Sequence, residues 1–255
     1  MTDADQTTPA SGAAGDADRT TPASGAAGDA DPTDVANESP RAARTSAGPG
    51  AGDGPAAGVT HGVGPWAGDW PDDPRYDPEL LANGDTRNVV DAYRYWTMEA
   101  IVADLDAQRH PFHVAIENWQ HDLNIGSIVR SANAFLAAEV HIVGKRRWNR
   151  RGAMVTDRYQ HVRHHEDVAA FVAWAREAGL PVIAVDNVEG SVPVDRADLP
   201  EACVLLFGQE GPGLSPEAIA TASGVVEITQ YGSTRSINAA SAAAVIMYEW
   251  CRRWA

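Results

Sequence analysis

Five short apolar runs, at 112–116, 140–143, 182–185, 203–207 and 225–228, punctuate the second half of this chain. Segments with helical periodicity lie between and after them. Residues 124–137 place Ile125, Ile128, Val129 and Phe135 on one face; 166–178 do the same with Val168, Phe171, Val172 and Ala175; and 236–252 form a closing helix. Short apolar runs alternating with helices read as strands buried on both faces. The fold class expected is therefore α/β, a mostly parallel sheet flanked by helices. Local chemistry marks helix ends: Gly179-Leu180-Pro181 stops one helix, and Ser215-Pro216-Glu217 opens a short one to Ala222 with an N-cap serine and a proline in the first turn. In such sheets ligands sit at the carboxyl ends of the strands, so the segments after the strands carry the functional information.

Upstream the pattern changes. Residues 1–64 contain no Trp, Phe or Tyr, and a thirteen-residue unit, DADQTTPASGAAG, repeats at 16–28 with Arg19 in place of Gln6. Such composition cannot bury enough apolar surface to offset its ordering entropy, so 1–64 is expected to be a disordered, repetitive acidic tail. Residues 65–110 read as an N-terminal arm and helix: 66–78 are rich in Trp, Pro and Asp, and 86–105 space Val89, Val90, Tyr93, Trp96, Ile101 and Leu105 at helical intervals. Residues 111–255 form the α/β domain.

The net charge of −15 argues against a broadly basic nucleic-acid surface. Residues 1–75 hold twelve acidic and four basic side chains, which accounts for −8 and leaves −7 for the remainder. Any nucleic-acid contact must come from a local patch. One exists: Lys145-Arg146-Arg147-Trp148-Asn149-Arg150-Arg151 packs five cations and an aromatic into seven residues just past a strand. A solvated loop is the bland reading of a charge run. In an acidic chain a dense patch reads better as an RNA phosphate contact, with Trp148 free to stack on a base. His161-Val162-Arg163-His164-His165 lacks metal-ligand spacing and reads as an extension of that basic rim, so no metal is expected. Cys203 and Cys251 read as buried free thiols. No apolar run is long enough to span a membrane and no signal pattern opens the chain, which points to a cytoplasmic protein.

Three motifs follow the strands. The first is Asn124-Ile125-Gly126-Ser127-Ile128-Val129-Arg130, and the second is Phe207-Gly208-Gln209-Glu210-Gly211-Pro212-Gly213-Leu214. The third, Ile228-Thr229-Gln230-Tyr231-Gly232-Ser233-Thr234-Arg235-Ser236-Ile237-Asn238, runs into an alanine-rich helix. The glycine-rich second motif lacks the spacing and the Lys-Ser/Thr ending of a phosphate loop. Its glycines would instead let backbone approach a ligand closely.

In order and spacing these motifs resemble motifs 1, 2 and 3 of the SpoU/TrmH family of RNA ribose 2′-O-methyltransferases, of the SPOUT class, over residues 112–253. The resemblance implies a C-terminal deep trefoil knot, a homodimer, S-adenosylmethionine as cofactor and RNA as substrate. In look it is nearest to members acting on guanosine 18 of tRNA, with rRNA as the alternative target and a catalytically silent RNA-binding homologue as a further one. Matching residue by residue, it implies a catalytic set of Asn124, Arg130, Glu210, Ser236 and Asn238. Cofactor contacts fall on Val185 and Asp186, on Phe207, Gly208 and Gly213, and on Ile228, Gln230 and Ile237. A guanidinium is a poor base, so Arg130 is read as stabilising the developing alkoxide and clamping a neighbouring phosphate, with Asn124 orienting either group. Ser236 and Asn238 are read as fixing the third loop, although Asn238 could simply cap the last helix. Glu210 could serve the dipole of the helix at 215–222 as well as the site. Thr229 stands where the family often has proline, which loosens the loop without removing a ligand. The motif 3 helix runs to the last residues of this sequence, so further RNA contacts are expected from 65–110 or from the core.

Overall fold

The computed structural model describes residues 62–120 and 124–255. Seven strands form one sheet: β1 (His113–Asn118), β2 (Val140–Gly144), β3 (Val162–His165), β4 (Val182–Val185), β5 (Val192–Pro193), β6 (Val204–Phe207) and β7 (Gly224–Glu227). Their order is β3-β2-β1-β6-β4-β7-β5, and every pairing is parallel. The five apolar runs are thus strands, and their carboxyl ends share one edge. Two further strands carry no apolar run because they sit at the margins. β3 is largely exposed, which tolerates Arg163 and His164. β5 closes the other margin with Pro193, which cannot donate to another strand.

Helices cover both faces. α3 (Asn124–Ala134) and α6 (Ala239–Trp254) bury Ile125, Ile128, Ile246, Met247 and Trp250 against Val114, Ile116, Ile142 and Leu205. α4 (Val168–Glu177) and α5 (Pro216–Thr221) bury Phe171, Ala175 and Ala218 against Ala115, Val143 and Leu206. Each large side chain removed from water in this way contributes about 1.5–3 kcal/mol. The second face also buries polar rings. Burial pushes His141 down to about 2 and lowers His113 and His165 too, so all three imidazoles are neutral near pH 7. Cys203 is buried, and burial pushes its thiol up to about 12; Cys251 is half-buried, and both are free.

The arm departs from the sequence reading. The helix expected over 86–105 is a single 3-10 turn at Asp91–Tyr93, an extended stretch and then α2 (Met98–Asp106), which is capped by Thr97 Oγ1 accepting from Ala100 N at 3.1 Å. The cause is Asp85, fully buried beyond the short α1 (Pro78–Asn83). Its carboxylate accepts from Arg87 N at 2.9 Å, from the Arg87 guanidinium at 2.9 and 2.8 Å and from Tyr95 N at 3.0 Å. A buried carboxylate needs such donors, and gathering them bends the chain into a loop that no helix could follow. The tail expected over 1–64 lies outside the described residues as far as 61. Val63, inside the described part, exchanges two 2.9 Å backbone hydrogen bonds with Asp85, so the arm is already paired before residue 65. Among the described residues no helix is long and apolar enough to cross a membrane.

Gly126 decides how the basic loop meets α3. A Cβ at 126 would lie 2.8 Å from both Asn149 O and Ala153 N, so only a glycine lets residues 149–153 seat on the helix. Gly126→Ala should therefore lower unfolding stability by about 1–3 kcal/mol, the usual cost of forcing a close-packed contact apart. Urea unfolding followed by circular dichroism reads this directly; an unchanged midpoint would mean the loop is not held there.

Candidate active site

The first element of the site is a loop folded onto itself. Residues 208–214 follow β6, and Gln209 and Gly213 exchange backbone hydrogen bonds at 3.2 and 3.1 Å. A Cβ on Gly208 would fall 2.2 Å from Gly213 C and 2.3 Å from Leu214 N. Asp186, just past β4, locks the loop from the side: Oδ2 accepts from Leu214 N at 2.9 Å and Oδ1 from Asn187 N at 2.8 Å. The loop after β7 is tied across the same gap, because the Arg235 carbonyl accepts from Gln230 Nε2 at 3.2 Å and from the Asn187 side chain.

Between these loops lies a cavity of about 330 Å³. All eight residues matched to cofactor contacts line it: Val185 and Asp186 after β4, Phe207, Gly208 and Gly213 after β6, and Ile228, Gln230 and Ile237 after β7. Ser236 and Glu210 line it as well, and so does Arg235, which the sequence reading did not single out. Apolar walls from Val185, Phe207 and Ile228, glycine backbone at 208 and 213, and a carboxylate from Asp186 suit a ligand with a flat aromatic part and polar substituents.

Beside the cavity the three motifs meet through side chains. Asn238 donates from Nδ2 to Asn124 Oδ1 and to Glu210 Oε2, both at 2.8 Å, and Asn124 donates from Nδ2 to the same Glu210 oxygen. Asn238 also caps α6, its Oδ1 accepting from Ala240 N at 3.0 Å and Ser241 N at 3.3 Å. Capping and site organisation are thus one role. Asn124 is thus engaged with Glu210 and Asn238. At the start of α5, Glu117 accepts from Ser215 N and Ser215 Oγ, each at 2.7 Å. Arg130 stands apart. It is exposed on α3, lines no part of the cavity and makes no ion pair among the described residues.

Three polar residues that sequence reasoning missed brace this edge. Glu117 and Asn118 end β1 fully buried, and Gln209 is nearly so. Gln209 Oε1 accepts from Trp119 N at 2.8 Å and Gln120 N at 2.7 Å, fastening the second motif to the segment that leads into the first. Asn118 Nδ2 donates to Lys145 O at 2.5 Å and Arg147 O at 2.9 Å, and so fastens the basic loop. That loop presents Lys145, Arg146, Arg147, Arg150 and Arg151 to solvent. Trp148 is not free to stack as expected. It is half-buried against the core, and the Arg150 guanidinium lies 5.4 Å from its ring centre. It forms instead the wall of a groove of about 250 Å³ shared with Arg146, Arg150, Asp157, Arg163 and His164. The rim extension expected at 161–165 is divided: Arg163 and His164 reach the groove, whereas His165 turns into the sheet and is buried.

Gly208→Ala should leave the fold intact at the sheet but abolish ligand binding in the cavity, since the new methyl has only loop backbone to displace. Retention of wild-type affinity for the cavity's ligand would contradict the loop geometry described.

Comparison with known proteins agrees with this arrangement. Residues 111–248 match the model of the SpoU rRNA Methylase family. An uncharacterized tRNA/rRNA methyltransferase of Mycolicibacterium vanbaalenii is 32% identical over 192 residues, covering 71% of this chain and 60% of that protein. The tRNA (guanosine(18)-2′-O)-methyltransferase of Escherichia coli is 28% identical over 157 residues, covering 60% of this chain and 69% of the enzyme. Among solved structures, the SpoU methyltransferase AviRb of Streptomyces viridochromogenes in complex with AdoMet aligns with a TM-score of 0.51 and 27% identity, over 59% of this chain and 60% of that one. With a family model matched over more than half its length and the three motifs assembled at one sheet edge, this chain belongs to the SpoU rRNA Methylase family.

Proposed function

We propose that this chain transfers a methyl group from S-adenosylmethionine to a ribose 2′-hydroxyl of structured RNA, with tRNA the foremost substrate. The observation that carries the reading is the convergence of Asn124, Glu210 and Asn238 beside the cavity between the loops after β4, β6 and β7. The cavity's size and its mix of apolar wall, open glycine backbone and a few polar groups fit a nucleoside with an amino-acid tail. Phe207, Ile228 and Ile237 would hold the flat base, and Asp186 and Gln230 the polar substituents. When bound, the cofactor supplies a methyl already activated by its sulfonium charge. The chain's own residues then have two tasks, to hold the 2′-oxygen in line and to stabilise its developing charge. Arg130 is assigned the second. tRNA is put first because the E. coli relative acts on guanosine 18 of tRNA. The name of the matching family keeps rRNA as the alternative.

The same reading includes a homodimer. α6 exposes Val245 and Tyr248, and Tyr248 lies edge-on to Phe135 just past α3, which leaves apolar surface on the helix pair that also carries Arg130. It includes the knotted path as well, supported by the return of α6 across the sheet to pack with α3. The exposed cations at 145–151 and the adjoining groove serve RNA phosphates.

Calorimetry tests the cofactor assignment. S-adenosylmethionine and its demethylated product should both bind with one site per chain; folded protein that binds neither would overturn the reading. Arg130→Ala should keep that affinity while turnover falls about 10²-fold or more, the scale of losing one oxyanion donor. Wild-type turnover in that variant would remove Arg130 from the mechanism. Replacing Arg146, Arg147, Arg150 and Arg151 by Gln should reduce the salt dependence of RNA binding by roughly one unit of slope per lost phosphate contact, with cofactor affinity unchanged. An unchanged slope would move the RNA surface elsewhere.

A further inference from the structure

On the face covered by α4, three imidazoles run in a row across β1, β2 and β3. The parallel register sets Ala115 beside His141 and His141 beside Arg163, so His113, His141 and His165 are successive diagonal neighbours. His113 Nδ1 lies 3.0 Å from His141 Nε2, and His141 Nδ1 lies 2.9 Å from His165 Nε2. Trp174 of α4 covers the row, its ring centre 4.0 Å from that of His141. Glu139, one residue before β2, brings Oε2 to 3.8 Å from His141 Nε2. One ligand atom each from His113, Glu139 and His141 fall within 4.8 Å of one another.

The two spacings about His141 Nε2 are close to what a small tetrahedral ion requires. Ligand atoms at about 2.0–2.2 Å from zinc sit roughly 3.3 Å apart at the tetrahedral angle, and 3.0 and 3.8 Å bracket that value. The outer partners that orient metal ligands are also present. His165 takes the second nitrogen of His141, and Arg163 Nε donates to both Glu139 oxygens at 3.1 and 3.0 Å. We propose that His113 Nδ1, His141 Nε2 and Glu139 form a site for a divalent transition-metal ion of the imidazole-preferring class, Zn²⁺ foremost, with water completing the shell.

The protons balance without net release. With His141 Nδ1–H donating to His165 Nε2, the Nε2 lone pair of His141 faces the site. His113 need only move its proton from Nδ1 to Nε2, and it is partly exposed, so solvent can carry that shift. The Arg163 guanidinium beyond Glu139 weakens the site relative to one with an uncompensated carboxylate. The ion would brace the amino-terminal ends of β1 and β2, at the edge opposite the methyl-transfer loops, and takes no part in that chemistry. The expectation of no metal rested on the spacing within 161–165; His113, Glu139 and His141 did not enter it, and the sheet register is what unites them.

The test uses the full chain, stripped with chelator and titrated with Zn²⁺ and with Co²⁺. One equivalent should bind per chain, and the thermal midpoint should rise by about 5 °C or more at a roughly hundredfold excess over Kd. Co²⁺ should show the visible absorption of a tetrahedral site and quench fluorescence, and the quenching should shrink in Trp174→Phe. His113→Gln and Glu139→Gln, both at partly exposed positions, should each weaken binding at least tenfold. His161→Gln, an exposed residue paired with Asp106, should not. No saturable binding by the wild type, or undiminished binding in both the His113 and Glu139 variants, would overturn the site and leave a plain hydrogen-bonded row of rings. None of these readouts depends on methyl transfer.

Discussion

The Glu210 carboxylate accepts hydrogen bonds from Asn124 and Asn238, two side chains that also bond to each other across 114 residues of sequence. The rest of the candidate site depends on this triangle. Charge-assisted hydrogen bonds contribute about 1.5–3 kcal/mol each when shielded, and less when exposed as these are. Their larger effect is geometric. Asn124 starts α3, Asn238 caps α6, and Glu210 belongs to the loop after β6. Fixing the three side chains fixes the entry of both helices on one sheet face and the outer wall of the cavity between the loops.

Behind the triangle, buried polar side chains do what apolar packing cannot, because they bind loops through backbone groups that must be satisfied anyway. Glu117 holds the start of α5, Asn118 the basic loop and Gln209 the segment after β1. All three sit at or beside the carboxyl ends of the central strands β1 and β6. A parallel sheet offers its ligand edge there, and in this chain the same edge serves as the mount for the cavity loops and the basic loop. Backbone proximity at Gly208 and Gly126 completes the mounting, one in the cavity loop and one under the basic loop.

The central strands were legible because they are buried on both faces and therefore continuously apolar. β3 and β5 were not, since a marginal strand needs no apolar run. The arm misled because Val89, Tyr93, Trp96 and Ile101 keep helical spacing while the buried Asp85 bends the backbone between them. In the site, the residues matched to the family were legible, and the structure gathers ten of them around one cavity. Gln209, Glu117 and Asn118 were not, because their partners lie 90, 98 and 27 residues away and no local pattern announces them. Trp148 was legible as an aromatic in a basic run, but its half-burial depends on α3 and the sheet beneath it.

The proposed activity puts the methyl group on the ribose and not on the base, at the edge defined by Asn124, Glu210 and Asn238. It is tested most directly by incubating the protein with methyl-labelled S-adenosylmethionine and with tRNA and rRNA transcripts, then digesting the products to nucleosides. Label should appear in a single 2′-O-methyl nucleoside, with the methyl retained on the sugar after the base is removed. Label on a base, or no transfer to either class of RNA by protein that binds the cofactor, would contradict it.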